Sequence, residues 1–189
     1  MVDRVSALAG HNQPGHQGHY DETGKSGVIL REPPDLVLHQ VAAWRDSIDV
    51  VGKSLAKLIG AETVAGPCKA VTGSKGSMLR IEPMKWWLVG VAAPEFDAGQ
   101  AVTLDLSHSR TRVCVSGACA AEFLNRHLPL DLREASFPPG SVASSVTHHV
   151  GVTLWRSQDG YELFMPRGFA LSLWEGLVES AQQFGVDIT

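Results

Sequence analysis

The chain has 189 residues, 44% of them hydrophobic and 19% charged, which describes a globular protein and not a disordered one. Its formal net charge of −4 gives no reason to expect nucleic acid, whose phosphates call for clustered Lys and Arg. No apolar run approaches the roughly 20 residues that span a bilayer, so no membrane is expected either.

The opening MVDRVSALAGHNQPGH holds too short an apolar segment for a secretory signal. Cys68, Cys114 and Cys119 are sparse and odd in number, which fits reduced thiols and a cytoplasmic location. Residues 10–35 are rich in Gly, His and Pro and lack periodicity apart from Val28-Ile29-Leu30. They predict a flexible arm over residues 1–35, with Tyr20 and Ile29 as anchors on a partner, ahead of a single domain over 36–189.

Order is expected to begin with a strand over Leu36–Trp44. Asp46 then caps a helix whose stripe is Ile48, Val51, Leu55, Leu58 and Ile59, and Gly60 suits its left-handed stop. A Gly-rich connection over 64–76 leads to two strands, MLRIEP and WWLVGV. VTLDL and TRVCV are two more, meeting at Ser107-His108-Ser109. Ser116 can cap a helix bearing Ala120, Phe123, Leu124 and Leu128, which Pro129 cannot continue. SSVTHHVGVTLWR and YELFM form a hairpin around Gln158-Asp159-Gly160. A last helix follows Pro166, with Phe169, Leu173, Leu177, Ala181 and Phe184 in one stripe. Short links between strand pairs favour an α+β fold, antiparallel sheets with helices packed on one face.

Asp105, Ser107 and His108 have the residue types of a hydrolase triad, but successive side chains on a strand diverge, so they read as a hydrogen-bonding corner at a seam near 105–116. His11, His16, His19, His148 and His149, with Cys114 and Cys119, lack the two tight ligand pairs of a structural zinc site, and no metal ligand is assigned. Glu122, Glu162, Glu175 and Glu179 fall on expected polar faces, so no acid–base pair and no catalytic residue is assigned. Trp86 and Trp87 should point to opposite faces of one strand. One ring fills the core, and the other is either an exposed surface group or a contact with a partner.

The string DLSHSRTRVCVSGACAAEFLNRHLPLDL resembles a segment of the folate-binding aminomethyltransferase superfamily, that of glycine-cleavage T-protein. RIEPMKWWLVG before it, LPLDLREASFPPGS after it and the closing YELFMPRGFALSLWEGLVESAQQFG resemble the gamma-subunit family of heterotetrameric sarcosine oxidases. The resemblance implies two intertwined subdomains built from part of the folate-binding fold. It makes Asp105, Ser107 and His108 architecture. Val150 and Gly151 stand where the methyltransferases carry an acidic pair, and LFMPRG lacks their Asn. The resemblance therefore implies a non-catalytic subunit with no cofactor site of its own. Its implied partners are alpha, beta and delta subunits that hold FAD, FMN, NAD, tetrahydrofolate and zinc and oxidatively demethylate sarcosine. An equivalent subunit of a related secondary-amine complex, such as N-methylglutamate dehydrogenase, and a stand-alone folate-binding protein stay open as alternatives.

Overall fold

The computed structural model describes residues 5–19 and 24–189. In chain order its strands and helices are β1 (Gly15–Gln17), β2 (Val28–Arg31), β3 (Leu38–Ala43), α1 (Ile48–Ile59), β4 (Ala70–Thr72), β5 (Ser77–Glu82), β6 (Lys85–Val89) and β7 (Ala101–Asp105). Then come β8 (Arg110–Ser116), α2 (Ala120–Asn125), β9 (Val142–Thr147), β10 (Val150–Arg156), β11 (Tyr161–Pro166), α3 (Ala170–Ala181) and β12 (Val186–Ile188). The fold is α+β, and its two sheets are antiparallel except where β12 runs parallel to β2. The described residues divide into two compact units, one over 35–108 with 140–143, the other over the remaining described residues.

The unit over 35–108 carries a five-stranded sheet in the order β4-β5-β6-β3-β7. The α1 stripe of Val51, Leu55, Ala56 and Ile59 is buried against Val41, Ala43, Met78, Trp86, Leu88 and Ala101, which share one sheet face by their alternation. Gly60 ends α1 at φ 75°, as its sequence predicts. Asp46 is not the cap: Ser47 holds that position, and its hydroxyl donates to the Trp44 and Gln100 carbonyls instead.

The other unit carries a seven-stranded sheet in the order β1-β12-β2-β8-β11-β10-β9. β2 lies inside this sheet, between β12 and β8, with Val28 and Leu30 fully buried. The expectation of a flexible arm is corrected here: Leu8 is also fully buried, and Gly15–Gln17 pairs with β12. The composition of 10–35 is polar, but four residues suffice for an interior strand when both ladder partners come from far along the chain. Close backbone approach locks β2 in place. Gly27 donates to the Phe184 carbonyl and accepts from the Cys119 amide, each at 2.8 Å, and a Cβ on Gly27 would sit 2.7 Å from that Phe184 oxygen. A turn at His148-His149, both left-handed at φ 46° and 67°, splits the strand expected over SSVTHHVGVTLWR into β9 and β10. The α2 helix starts later than Ser116, with Cys119 at its cap.

Candidate functional site

At the seam the structure engages the candidate triad in backbone support. Ser107 Oγ accepts from the Leu38 amide at 3.0 Å and donates to the Leu38 carbonyl at 3.4 Å. Asp105 Oδ1 accepts from the Ser107 amide at 2.8 Å and lies 3.9 Å from His39 Nε2. Hydrogen bonding from Ser107 holds the Asp105 carboxyl below the usual range. His108 is exposed on the turn. A serine whose hydroxyl pairs with both the amide and the carbonyl of one residue is an element of the corner, not a poised nucleophile.

The expectation of one exposed ring on β6 is corrected, because Trp86 is 1% exposed and Trp87 is 4% exposed. β6 is the central strand of its sheet and is covered on both faces, so the ring opposite the α1 core is buried too. Trp87 donates to Gln40 Oε1 at 3.3 Å, while the Arg80 guanidinium lies 5.3 Å from the Trp86 ring centre. Ile29 is half-buried within β2 and pairs with Ser116. Tyr20 lies outside the described residues.

One buried polar cluster has no local signature in the sequence. Glu162, expected on a polar face, is 6% exposed and is the only buried carboxylate among the described residues. The β8–β11 ladder sets it opposite Cys114, and Arg112 lies two residues away on the same face of β8. Arg112 Nε donates to Glu162 Oε2 at 2.8 Å, the Cys114 thiol donates to the same oxygen at 2.7 Å, and Ser157 Oγ donates to Oε1 at 3.3 Å. Burial and the Glu162 charge push the Cys114 thiol up to about 12, so it stays protonated. The matching signal in the sequence is a period-2 arrangement, R-x-C facing E-L-F, legible only once the strand register is known.

A cavity of about 80 Å³ adjoins Glu162, lined also by Ile29, Arg31, Cys114 and Tyr161. Pockets for drug-sized ligands run to roughly 300–1,000 Å³, so a pterin does not fit here, and both carboxylate oxygens are already engaged. Among the described residues no group of three or more His, Cys, Asp or Glu side chains could hold a metal ion, and no helix is long and apolar enough to cross a membrane.

The architecture is that of aminomethyltransferase-type folds. The glycine cleavage system aminomethyltransferase T from Bartonella henselae superposes with a TM-score of 0.56 at 14% identity, over 86% of this chain and 48% of that one. More of the chain is shared with heterotetrameric sarcosine oxidase from Corynebacterium sp. U-96, solved in complex with pyrrole 2-carboxylate. There the TM-score is 0.78 at 20% identity, over 96% of both chains. In sequence, an aminomethyltransferase from Thermoanaerobacter sp. (strain X514) is 27% identical over 85 residues, covering 43% of this chain and 23% of the relative. That stretch is less than a quarter of the length of the curated relatives matched. No family model matches the chain.

Proposed function

We propose that this chain is the non-catalytic gamma subunit of a heterotetrameric sarcosine oxidase, assembled with alpha, beta and delta subunits in the cytoplasm. The observation that carries the reading is the fold shared with a chain of heterotetrameric sarcosine oxidase over 96% of both chains, at a TM-score of 0.78. In the proposed complex the partner subunits hold FAD, FMN, NAD, tetrahydrofolate and zinc. Sarcosine is oxidatively demethylated to glycine, with hydrogen peroxide and formaldehyde or methylene-tetrahydrofolate as co-products. Two features of the chain support a structural part in that chemistry. Its buried carboxylate is spent on Arg112, Cys114 and Ser157, and its Ser107 hydroxyl is spent on Leu38.

The test is co-expression with the other three subunits, followed by affinity capture through this chain and a peroxide assay with sarcosine and, separately, N-methylglutamate. The captured complex should turn over sarcosine, and the isolated chain should carry no flavin and make no peroxide. A Ser107→Ala/His108→Ala chain should assemble with normal flavin content and normal turnover while losing about 1–3 kcal/mol of its own stability. Peroxide from the isolated chain, or collapsed turnover in a normally assembled variant complex, overturns the reading.

A further inference from the structure

A second cavity, of about 180 Å³, lies within the unit over 35–108, between α1, residues 64–66 and the β5–β6 hairpin. Ile48, Val64 and Ala65 give it apolar walls. Two cations also line it, Lys53 from α1 and Arg80 from β5, and neither has a carboxylate partner among the described residues. Arg80 is nonetheless held in place. Its Nε and Nη2 both donate to the Pro83 carbonyl, which leaves Nη1 for another acceptor, and its guanidinium carbon lies 5.3 Å from the Trp86 ring centre. Trp86 supplies a third donor. It lines the cavity and is 1% exposed, yet its Nε1 is buried with no hydrogen-bond partner, whereas a buried indole N–H ordinarily finds one. The nitrogen edge of that ring faces the cavity. A Cβ on Gly52 would sit 3.5 Å from Trp86 Cζ2, two bonds from Nε1, and 3.0 Å from Val64 Cγ1 on the cavity wall. Ile48 and Asp49, which stack beside Gly52 at i−4 and i−3, line the same space.

We propose that this cavity binds a small aliphatic monocarboxylate as a free ligand, its carboxylate held by Arg80, Lys53 and the Trp86 N–H and its short chain on Ile48, Val64 and Ala65. The fixed guanidinium matches the geometry of a carboxylate, and the same anion supplies the acceptor that the buried indole lacks. Asp49 sets the ligand's charge. It stands in the first turn of α1, where the helix dipole favours an anion, and against two cations it leaves a surplus of one positive charge. That surplus suits a monoanion and not a dianion such as a phosphate ester. The volume falls below the roughly 300–1,000 Å³ of drug-sized ligand pockets, which excludes a nucleotide or a pterin. The apolar walls exclude a bare inorganic anion, since each of its oxygens would need a donor. They also favour a free acid over an acidic side chain of another protein. An Asp or Glu offers one or two methylenes before its own backbone, whose polar groups these walls cannot satisfy. The site lies on this chain alone and does not rest on the assembly proposed above.

The probe is sodium butyrate, titrated into the full chain at constant ionic strength and followed by the indole N–H resonance of Trp86, assigned with Trp86→Phe. A saturable shift is expected, absent with the neutral isostere butyramide. Its affinity should fall about tenfold in Arg80→Gln and severalfold in Lys53→Gln. Lys53→Gln should melt with the parent, because the exposed ammonium has no partner in the fold to lose. Butyrate should raise the thermal midpoint of the parent in step with its concentration, as a ligand of the folded state does, and raise that of Arg80→Gln less. An equal shift with butyramide, an affinity unchanged in both variants, or no saturation overturns the proposal. Tighter binding of inorganic phosphate than of butyrate overturns it too, and makes this a site for an inorganic anion. If the free chain does not bind butyrate while Lys53→Gln is poorly retained by co-expressed partner subunits, the cations serve an acidic side chain of a partner and the proposal falls.

Discussion

Arg112 and Glu162 meet inside the seven-stranded sheet, where each charge is tolerable only because the other is present. Arg112→Met leaves a carboxylate that is 7% exposed facing only Cys114 and Ser157, and should cost about 3 kcal/mol. Arg112→Met/Glu162→Leu removes both charges and should recover most of that loss. Chemical denaturation of the two variants checks this, and a double variant worse than the single one contradicts it. His127 provides a pH test at the same scale. Burial first, then His148 and Arg126, hold its imidazole below the ordinary value, and its Nε2 is buried with no partner among the described residues. The unfolded chain therefore takes up a proton near pH 6.5 that the folded chain resists. This contribution to stability is complete above about pH 6.5 and is lost as the pH falls through that value toward the folded one. The thermal midpoint should drop between pH 7 and pH 5, and the drop should be shallower in His127→Gln. Asp105 and Asp187, both held below the usual carboxylate range, add their loss only below about pH 4.

β2 shows how four residues become an interior strand. Val28 and Leu30 point into the core, while the backbone pairs with β12 on one side and β8 on the other. Leu30→Ala should cost about 2–5 kcal/mol. Gly27→Ala should also destabilise, because its Cβ would press on the Phe184 carbonyl and the Cys119 thiol. If thermal melts place both variants within a degree of the parent, β2 is not the interior strand described here. These costs also separate what the sequence could tell from what it could not. The α1 stripe and its Gly60 stop were legible, because 12 residues give a period something to repeat over. β5, β7 and β8 were legible as short runs bounded by turn residues, and β6 as a continuous apolar run. β1, β4 and β12 are three residues each, and β2 four, too short for a period to show. The Glu162 cluster depends on the β8–β11 register, which no local pattern encodes. Trp86 and Trp87 misled for a related reason. Alternation gave their opposite directions correctly, but whether the second face is covered depends on the place of β6 within its sheet.

At the scale of the whole molecule, the fold is shared with a chain of heterotetrameric sarcosine oxidase over nearly the full length of both, but with only 48% of the Bartonella henselae aminomethyltransferase T chain. An α+β fold of this type does not by itself confer a ligand, since function resides in the side chains placed on it. In this chain the buried carboxylate faces an arginine, a thiol and a hydroxyl, and the cavity beside it measures about 80 Å³. Binding a pterin there would require breaking the Arg112 pair and opening several times that volume, both at the expense of the seven-stranded sheet. Isothermal titration of the full chain with tetrahydrofolate should therefore give no saturable heat at concentrations up to the millimolar range, and Glu162→Gln should leave that result unchanged. In the complex proposed above, the same ligand should bind through the proposed partner subunits, with an affinity that Glu162→Gln does not alter. Stoichiometric binding by the isolated chain, lost in Glu162→Gln, would make the cluster a folate site and this chain a folate-binding protein in its own right.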